Sequence, residues 1–175
     1  MNALTEIDSA RLVLRRLEAD DAAALFRTVG DPDVMRYWLP GPDKTVEDTY
    51  RRIAEIEDHW RQHGFGDWAA VTKPDGQIIG FGGLHYIADM PEVNVGYAVQ
   101  RTHWGRGFGS ELCRRVLDHG FAELRLSPIV AVIDPRNPAS IAVATRCGLR
   151  FWKRFVWTGQ ERVAYSATSS DWRSK

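Results

Sequence analysis

Apolar residues recur along this chain with two different periods, and the switches between them outline the fold. Leu12 and Leu14 share one side of Arg11–Leu17, which reads as a first strand. Asp20 and Asp21 precede Ala22-Ala23-Ala24-Leu25-Phe26, and acids ahead of an alanine-rich run suit the positive end of a helix. Gly30-Asp31-Pro32 closes that helix, Asp33 to Trp38 adds a short helical turn, and Pro40-Gly41-Pro42 is a loop. Thr45 and Asp48 form a capping box, after which Tyr50, Ile53, Ile56 and Trp60 mark one face of a helix that ends at Gly64.

Asp67–Thr72 and Gln77–Tyr86 read as strands around the turn Pro74-Asp75-Gly76. Met90-Pro91 interrupts the chain, and Val93, Val95, Tyr97 and Val99 then alternate with Asn94, Gly96 and Ala98 in a period of two. Behind the cluster Gly105, Gly107 and Gly109, an apolar stripe from Leu112 to Leu124 predicts a helix. Pro128–Ile133 is a short apolar strand. Asn137-Pro138 opens a last helix, asparagine as N-cap and proline at the first helical position, and Gly148 stands where a helix ends. Leu149–Trp157 and Arg162–Ala167 form a final pair of strands around Gly159. The order β-α-α-β-β-β-α-β-α-β-β describes one mixed α/β domain over residues 1–175.

Composition narrows the function classes. A hydrophobic share of 44% and a charged share of 26% are those of a globular chain. Lys+Arg 23 against Asp+Glu 23 gives no net charge, which argues against a broad nucleic-acid surface but leaves room for a local basic pocket. Cys113 and Cys147 belong to no CxxC and read as small buried thiols of a reducing compartment. The first ten residues carry Glu6 and Asp8 and no basic start before an apolar run, so no signal peptide is expected, and no apolar stretch is of membrane-spanning length. A cytoplasmic protein is the expectation. His59 and His63 have a metal-binding spacing but neither HExxH nor an evident third ligand, so they read as a solvated helix face and no metal is expected.

The densest chemical signal is strand, then Arg101-Thr102-His103-Trp104-Gly105-Arg106-Gly107-Phe108-Gly109-Ser110, then helix. Alternate glycines clear side chains from the turn, backbone N–H groups approach a ligand, and the helix presents its positive end: an anion site suited to pyrophosphate, with Arg106 adding charge. A P-loop would end in Gly-Lys-Ser/Thr. A dinucleotide fingerprint would want a glycine where Ser110 or Leu112 stands, and an acid where Arg125 stands.

Three stretches give the chain a resemblance to the GNAT superfamily of acyl-CoA-dependent N-acetyltransferases, above all its RimJ/RimL branch. They are Val95-Gly96-Tyr97 running into Trp104-Gly105-Arg106-Gly107-Phe108-Gly109-Ser110-Glu111, Asn137-Pro138-Ala139-Ser140 with Gly148-Leu149 after it, and Arg11-Leu12-Val13-Leu14-Arg15 ahead of Asp20-Asp21. The resemblance implies a mixed, splayed sheet flanked by helices, acetyl-CoA as cosubstrate and an amine as acceptor. Gly105 to Ser110 would hold the pyrophosphate, with Trp104 just ahead of them. The strand through Tyr97, Ala98 and Val99 would pair with the pantetheine arm and polarise the thioester. Asn137 would bind the pantetheine, and Ser140 would lie near the sulfur.

Amine attack requires an unprotonated amine, so a base is needed. Candidates are Glu92, on the same strand face as Asn94, His85 on the preceding strand, or water. Relatives often carry an acid where this chain has Asn94 and a tyrosine where it has Ala144, which leaves Ser140 to assist the leaving thiolate. Among the seven tryptophans, Trp38 beside the Pro40-Gly41-Pro42 loop would wall the acceptor site in the resembled fold. Rival readings are a GNAT-like module that binds or senses acyl-CoA without turnover, and a nucleotide-binding oxidoreductase. The acceptor's identity, and the choice between monomer and homodimer, are open at this stage.

Overall fold

Eight strands form one sheet in the computed structural model, which describes residues 6–173. They are β1 (Glu6–Asp8), β2 (Leu12–Arg16), β3 (Asp67–Thr72), β4 (Ile78–Tyr86), β5 (Val93–Val99), β6 (Ile129–Ile133), β7 (Arg150–Trp157) and β8 (Gln160–Ala167), in the spatial order β1-β2-β3-β4-β5-β6-β8-β7. All neighbours are antiparallel except β5 and β6. The helices are α1 (Ala22–Val29), α2 (Val46–His63), α3 (Phe108–Asp118), α4 (Pro138–Arg146) and α5 (Ser169–Arg173).

Local chemistry sets most boundaries. The Thr45 side chain accepts from the Asp48 N–H, Asp48 answers to the Thr45 N–H, and Gly64 ends α2 in the left-handed region at φ 75°. The buried stripe of α2 is Thr49, Ile53, Ile56 and Trp60. Tyr50, expected on that face, is exposed, and the buried Thr49 hydroxyl donates to Asp43 Oδ2 at 2.9 Å. The spacing of four, three and four residues from Thr49 tracks one face of a 3.6-residue helix better than a start at Tyr50. Asp33–Trp38 is a run of turns with no helix. Strand β1 was not expected: it has three residues and one apolar side chain, Ile7, and exists by pairing with β2. Helix α5 also lacked a sequence signal. Past Asp118 the α3 helix widens into a π turn over His119–Glu123, where Leu124 N–H reaches His119 O.

The two faces of the sheet carry different layers. Leu84 and Ile129 press on Gly120, and Tyr97 touches Gly109 of α3. On the opposite face, Phe81 packs against Trp38, and His85 lies beside Gly96. The feature that positions the site is the meeting of β5 and β6. Their parallel pairing covers only Val93–Ile129 and Asn94–Val130, after which the strands part. Asn94 ends the pairing with its side chain: Oδ1 accepts the Val132 N–H at 2.9 Å, satisfying a group that a continuing ladder would have bonded.

Asn94→Ala would leave the Val132 N–H without that acceptor. Urea denaturation is expected to show a loss of about 1–3 kcal/mol, and an unchanged midpoint would refute the bridging role.

Candidate active site

A cleft of about 980 Å³ opens where β5 and β6 part, and it is lined from both faces of the sheet. Tyr97, Gly109, Asn137 and Ser140 line it on the α3–α4 side; Trp38, His85 and Asn94 line it on the other. Ala98, Val99, Trp104, Gly105, Gly107, Phe108 and Ser110 also border it, whereas Arg106 and Glu92 do not.

The turn into α3 depends on glycine. Gly105 and Gly107 sit at φ 71° and 81°, in the left-handed region that an L side chain rarely adopts, and a β carbon at Gly105 would meet nothing, so the constraint there is backbone conformation. Gly107 is the N-cap, and the free N–H groups of the first turn of α3 follow it. The turn is held from the edge of the sheet. Arg11 Nε donates to Glu111 Oε2 at 2.7 Å, its backbone N–H to Glu111 Oε1 at 2.6 Å, and its Nη1 to Arg106 O at 2.9 Å. The Arg11 guanidinium also lies 4.1 Å from the Phe108 ring centre. Burial raises the Glu111 pKa, but hydrogen bonds from Ser9 and Arg11 outweigh it and hold the carboxyl below its ordinary value. Trp104 closes the near side, its indole Nε1 donating to Val99 O at 2.7 Å. Arg146, which lines the cleft beside this turn, donates to Ser110 Oγ at 3.2 Å.

Backbone alternation orients the β5 edge. Gln100 N–H bonds Ile79 O on the β4 side, so Val99 and Tyr97 turn their N–H and C=O groups toward the gap. With Val99 O taken by Trp104, the Tyr97 peptide groups face the cleft at the point of divergence. The Tyr97 side chain crosses to α4, its hydroxyl 3.1 Å from Ser140 Oγ. Burial pushes the phenol pKa far above its ordinary value, so it stays protonated. Asn137 caps α4 by accepting the Ser140 N–H at 3.1 Å, and Ala144 is buried in the core. Nothing in the sequence marks the Tyr97 hydroxyl, because its partner Ser140 is 43 residues away and the two meet only across the cleft.

On the opposite face, Asp67, His85, Asn94 and Val132 form a hydrogen-bonded chain across four strands. His85 Nδ1 lies 3.3 Å from Asp67 Oδ1, and its Nε2 lies 3.0 Å from Asn94 Nδ2. Because Asn94 Oδ1 is committed to Val132, its amide nitrogen is the donor, and the neutral imidazole therefore carries its proton on Nδ1, toward Asp67. Burial lowers the His85 pKa, but the Asp67 charge and hydrogen bond outweigh it and set the net direction upward. Gly96 gives His85 and Trp38 room, since a β carbon there would stand 2.8 Å from the His85 ring and 3.2 Å from Trp38. Glu92 lies just before β5, with Oε2 buried and lacking a hydrogen-bond partner. His59 uses both nitrogens on backbone groups, Nδ1 toward Phe65 O and Nε2 toward Tyr86 N–H. The neighbouring Cys147 thiol and burial push the Cys113 thiol upward, leaving it an unreactive core group.

An ion cluster around the buried Asp134 and Arg162 also borders the cleft, and no motif announced it. Asp134 Oδ2 accepts from Arg136 Nη2 at 2.7 Å and faces Arg162 Nη1 at 3.4 Å. Asp134 and Arg162 are distant in sequence and meet only because β6 pairs with β8.

A divided sheet, a glycine turn at the start of α3 and a capped α4 across the gap define the acetyltransferase (GNAT) domain, and the profile of that family matches residues 11–150. This chain belongs to that family. It is similar to "Uncharacterized protein YkkB" of Bacillus subtilis (strain 168), with 35% identity over 156 residues, 87% of this chain and 90% of that one. "Uncharacterized N-acetyltransferase p20" of Bacillus licheniformis is 33% identical over 132 residues, 75% of this chain and 74% of its own. The acetyltransferase structure from Agrobacterium tumefaciens str. C58 superposes with a TM-score of 0.83 at 24% identity, covering 95% of this chain and 96% of that one. The fold expected from the resemblance, a mixed splayed sheet with flanking helices, is the fold observed, and the chain is an acetyltransferase of this family. Among the described residues, no helix is long and apolar enough to cross a membrane.

The Arg136 side chain holds the Asp134 carboxyl down at about 2, from an ordinary 3.8. A lowered carboxyl pKa stabilises the fold fully above the unfolded value, and the contribution fades as pH falls from about 4 toward about 2. Asp134→Asn would leave Arg162 buried without a counter-charge. Urea titrations near pH 7 are expected to show about 3–5 kcal/mol lost, with the gap to wild type narrowing at pH 3.

Proposed function

We propose that this protein transfers an acetyl group from acetyl-CoA to a primary amine by direct attack of the amine on the thioester. The observation that carries this reading is a left-handed glycine turn at the head of α3 that opens onto a cleft through the parted strands. The N–H groups from Gly105 to Ser110 suit a pyrophosphate, and Arg146 adds a positive charge at the same end. The Tyr97 peptide groups, with Ala98 and Val99 beside them, suit the amide of a pantetheine arm. An N–H at this edge would stabilise the oxyanion that forms on attack, and such a donor is worth about 3 kcal/mol. Asn137 serves the pantetheine from the start of α4.

Ser140 assists the departing sulfur. When the Tyr97 hydroxyl, 3.1 Å away, donates to Ser140 Oγ, the serine proton is free for the thiolate, which is itself a good leaving group near neutral pH. The base is His85, working directly or through water. It borders the cleft, and the Asp67 charge and hydrogen bond outweigh burial and shift its pKa upward, which favours taking up a proton. Proton uptake at Nε2 requires Asn94 to release that nitrogen. Glu92, outside the cleft lining, ranks behind it. Trp38 forms the acceptor wall. Neither cysteine borders the cleft, which supports direct transfer over a cysteinyl intermediate. Trp104 ahead of Gly105, together with the Asn137–Ser140 element, supports placement in the RimJ/RimL branch. Acetyl-CoA supply favours the cytoplasm.

Thermal shift with acetyl-CoA, CoA and NAD side by side tests the cosubstrate. Either CoA form, at about 100 times its dissociation constant, is expected to add about 2.7 kcal/mol of stability, and NAD nothing. Gly107→Val is expected to abolish the shift, and binding that survives it would remove the glycine turn from the site. Thiol release with an amine panel tests turnover. A CoA shift without release above background from any amine would favour a sensing module instead. His85→Gln is expected to lower kcat by about 100-fold or more. It should also flatten the acid limb of the pH–rate profile, which in the wild type falls as His85 gains its proton.

A further inference from the structure

The ion cluster on the acceptor side of the cleft is incomplete, and its deficit has a sign. Arg162 is 4% exposed, yet it borders the cleft. A buried guanidinium needs a close counter-charge to offset its lost hydration. Its only carboxylate partner among the described residues is Asp134, at 3.4 Å. That carboxylate is already engaged by Arg136, through its backbone N–H and Nε to Oδ1 and its Nη2 to Oδ2, at 2.9, 2.9 and 2.7 Å. The Arg136 side chain is 74% exposed, so water screens its charge; Arg162 has no such relief. The other Arg162 partners are neutral oxygens, Glu161 O at 2.8 Å and Gln160 Oε1 at 2.9 Å. One carboxylate shared by two guanidinium groups leaves one net positive charge beside the cleft.

The remaining acid on the cleft lining does not correct this. Asp33 is paired with Arg36 and Arg101. A polycationic amine would therefore find no unpaired carboxylate among the described lining residues. The position of the deficit also matters. Asp134 lies two residues past Val132, roughly 7 Å along the strand direction from where Asn94 bridges the gap. The register that pairs Ile133 with Val163 brings Arg162 alongside Asp134. Trp157, on the β7–β8 hairpin, and Trp38 line the same cleft.

We infer that the acceptor is an amine bearing its own carboxylate close by, as a free amino acid does, and that Arg162 binds that carboxylate while the amine faces the gap beside Tyr97 and Asn94. The inference rests on the acetyl-transfer reading above. Arginine suits this task because its planar fork binds a carboxylate through two parallel N–H bonds.

Thiol release measured with free L-amino acids, their C-terminal amides and spermidine tests it. Free acids are expected to exceed the matched amides by tenfold or more in kcat/KM, with spermidine poorest. Arg162→Met, similar in length and uncharged, is expected to raise KM for free acids at least tenfold and bring acids and amides to parity. The acetyl-CoA thermal shift should be retained, and that shift also reports whether the variant folds. Arg162→Lys should recover part of the preference. Tryptophan fluorescence in the presence of CoA gives acceptor binding independently of turnover, with free acids expected to bind and amides not. Amides or spermidine used or bound as well as free acids would overturn the inference while leaving acetyl transfer intact. Absence of acetyl-CoA binding would instead overturn the transferase reading itself.

Discussion

The parting of β5 from β6 is the constraint on which the rest of this structure depends. Parallel strands are ordinarily held by an evenly spaced ladder, and here that ladder stops after two residue pairs. Strands that separate inside a sheet expose N–H and C=O groups with no partner, a cost normally avoided. Asn94 limits it by closing the ladder with its side chain, and the Tyr97 groups beyond face the cleft. Because the same amide donates to His85, the end of strand pairing and the tautomer of the cleft histidine are set by one residue. An aspartate at this position would still accept from Val132 but would have no hydrogen to offer the imidazole.

The two ends of the cleft are built on different physics. At the α3 end the cleft is bordered by backbone groups, with glycine required by conformation and the turn fastened from afar by Arg11 and Glu111. At the opposite end, it is bordered by charged side chains and aromatic walls. The first arrangement suits a ligand common to a whole family, since main-chain N–H groups depend little on side-chain identity. The second depends on individual residues, which can differ between chains that share this fold.

Much of this was legible in the sequence, because it depends on near neighbours. The capping box at Thr45 and Asp48, the glycine turn ahead of α3 and the Asn137-Pro138 start of α4 are decided within a few residues, and each formed as its local chemistry implies. The alternation from Val93 to Val99 predicted a strand, and the spacing between glycine turn and asparagine cap pointed to the right family. Errors arose where local signals were weak. Tyr50 and Thr49 are adjacent, and either could begin the apolar stripe by residue type. Strand β1 has too few residues to show a period and forms only because β2 offers an edge.

Periodicity, caps and the glycine spacing determined the elements, their order and the glycine turn ahead of α3, because those features are governed by short-range sterics and hydrogen bonding. The tertiary structure alone decided which strands separate. It alone brought Arg11 to the glycine turn, Tyr97 to Ser140, Asp67 to His85, and Arg162 to Asp134. Those pairings depend on strand order and register, which are set by how the whole sheet buries its faces. A charge deficit at the end of a cleft is therefore invisible in a sequence with no net charge: the total is balanced, and only the fold distributes it.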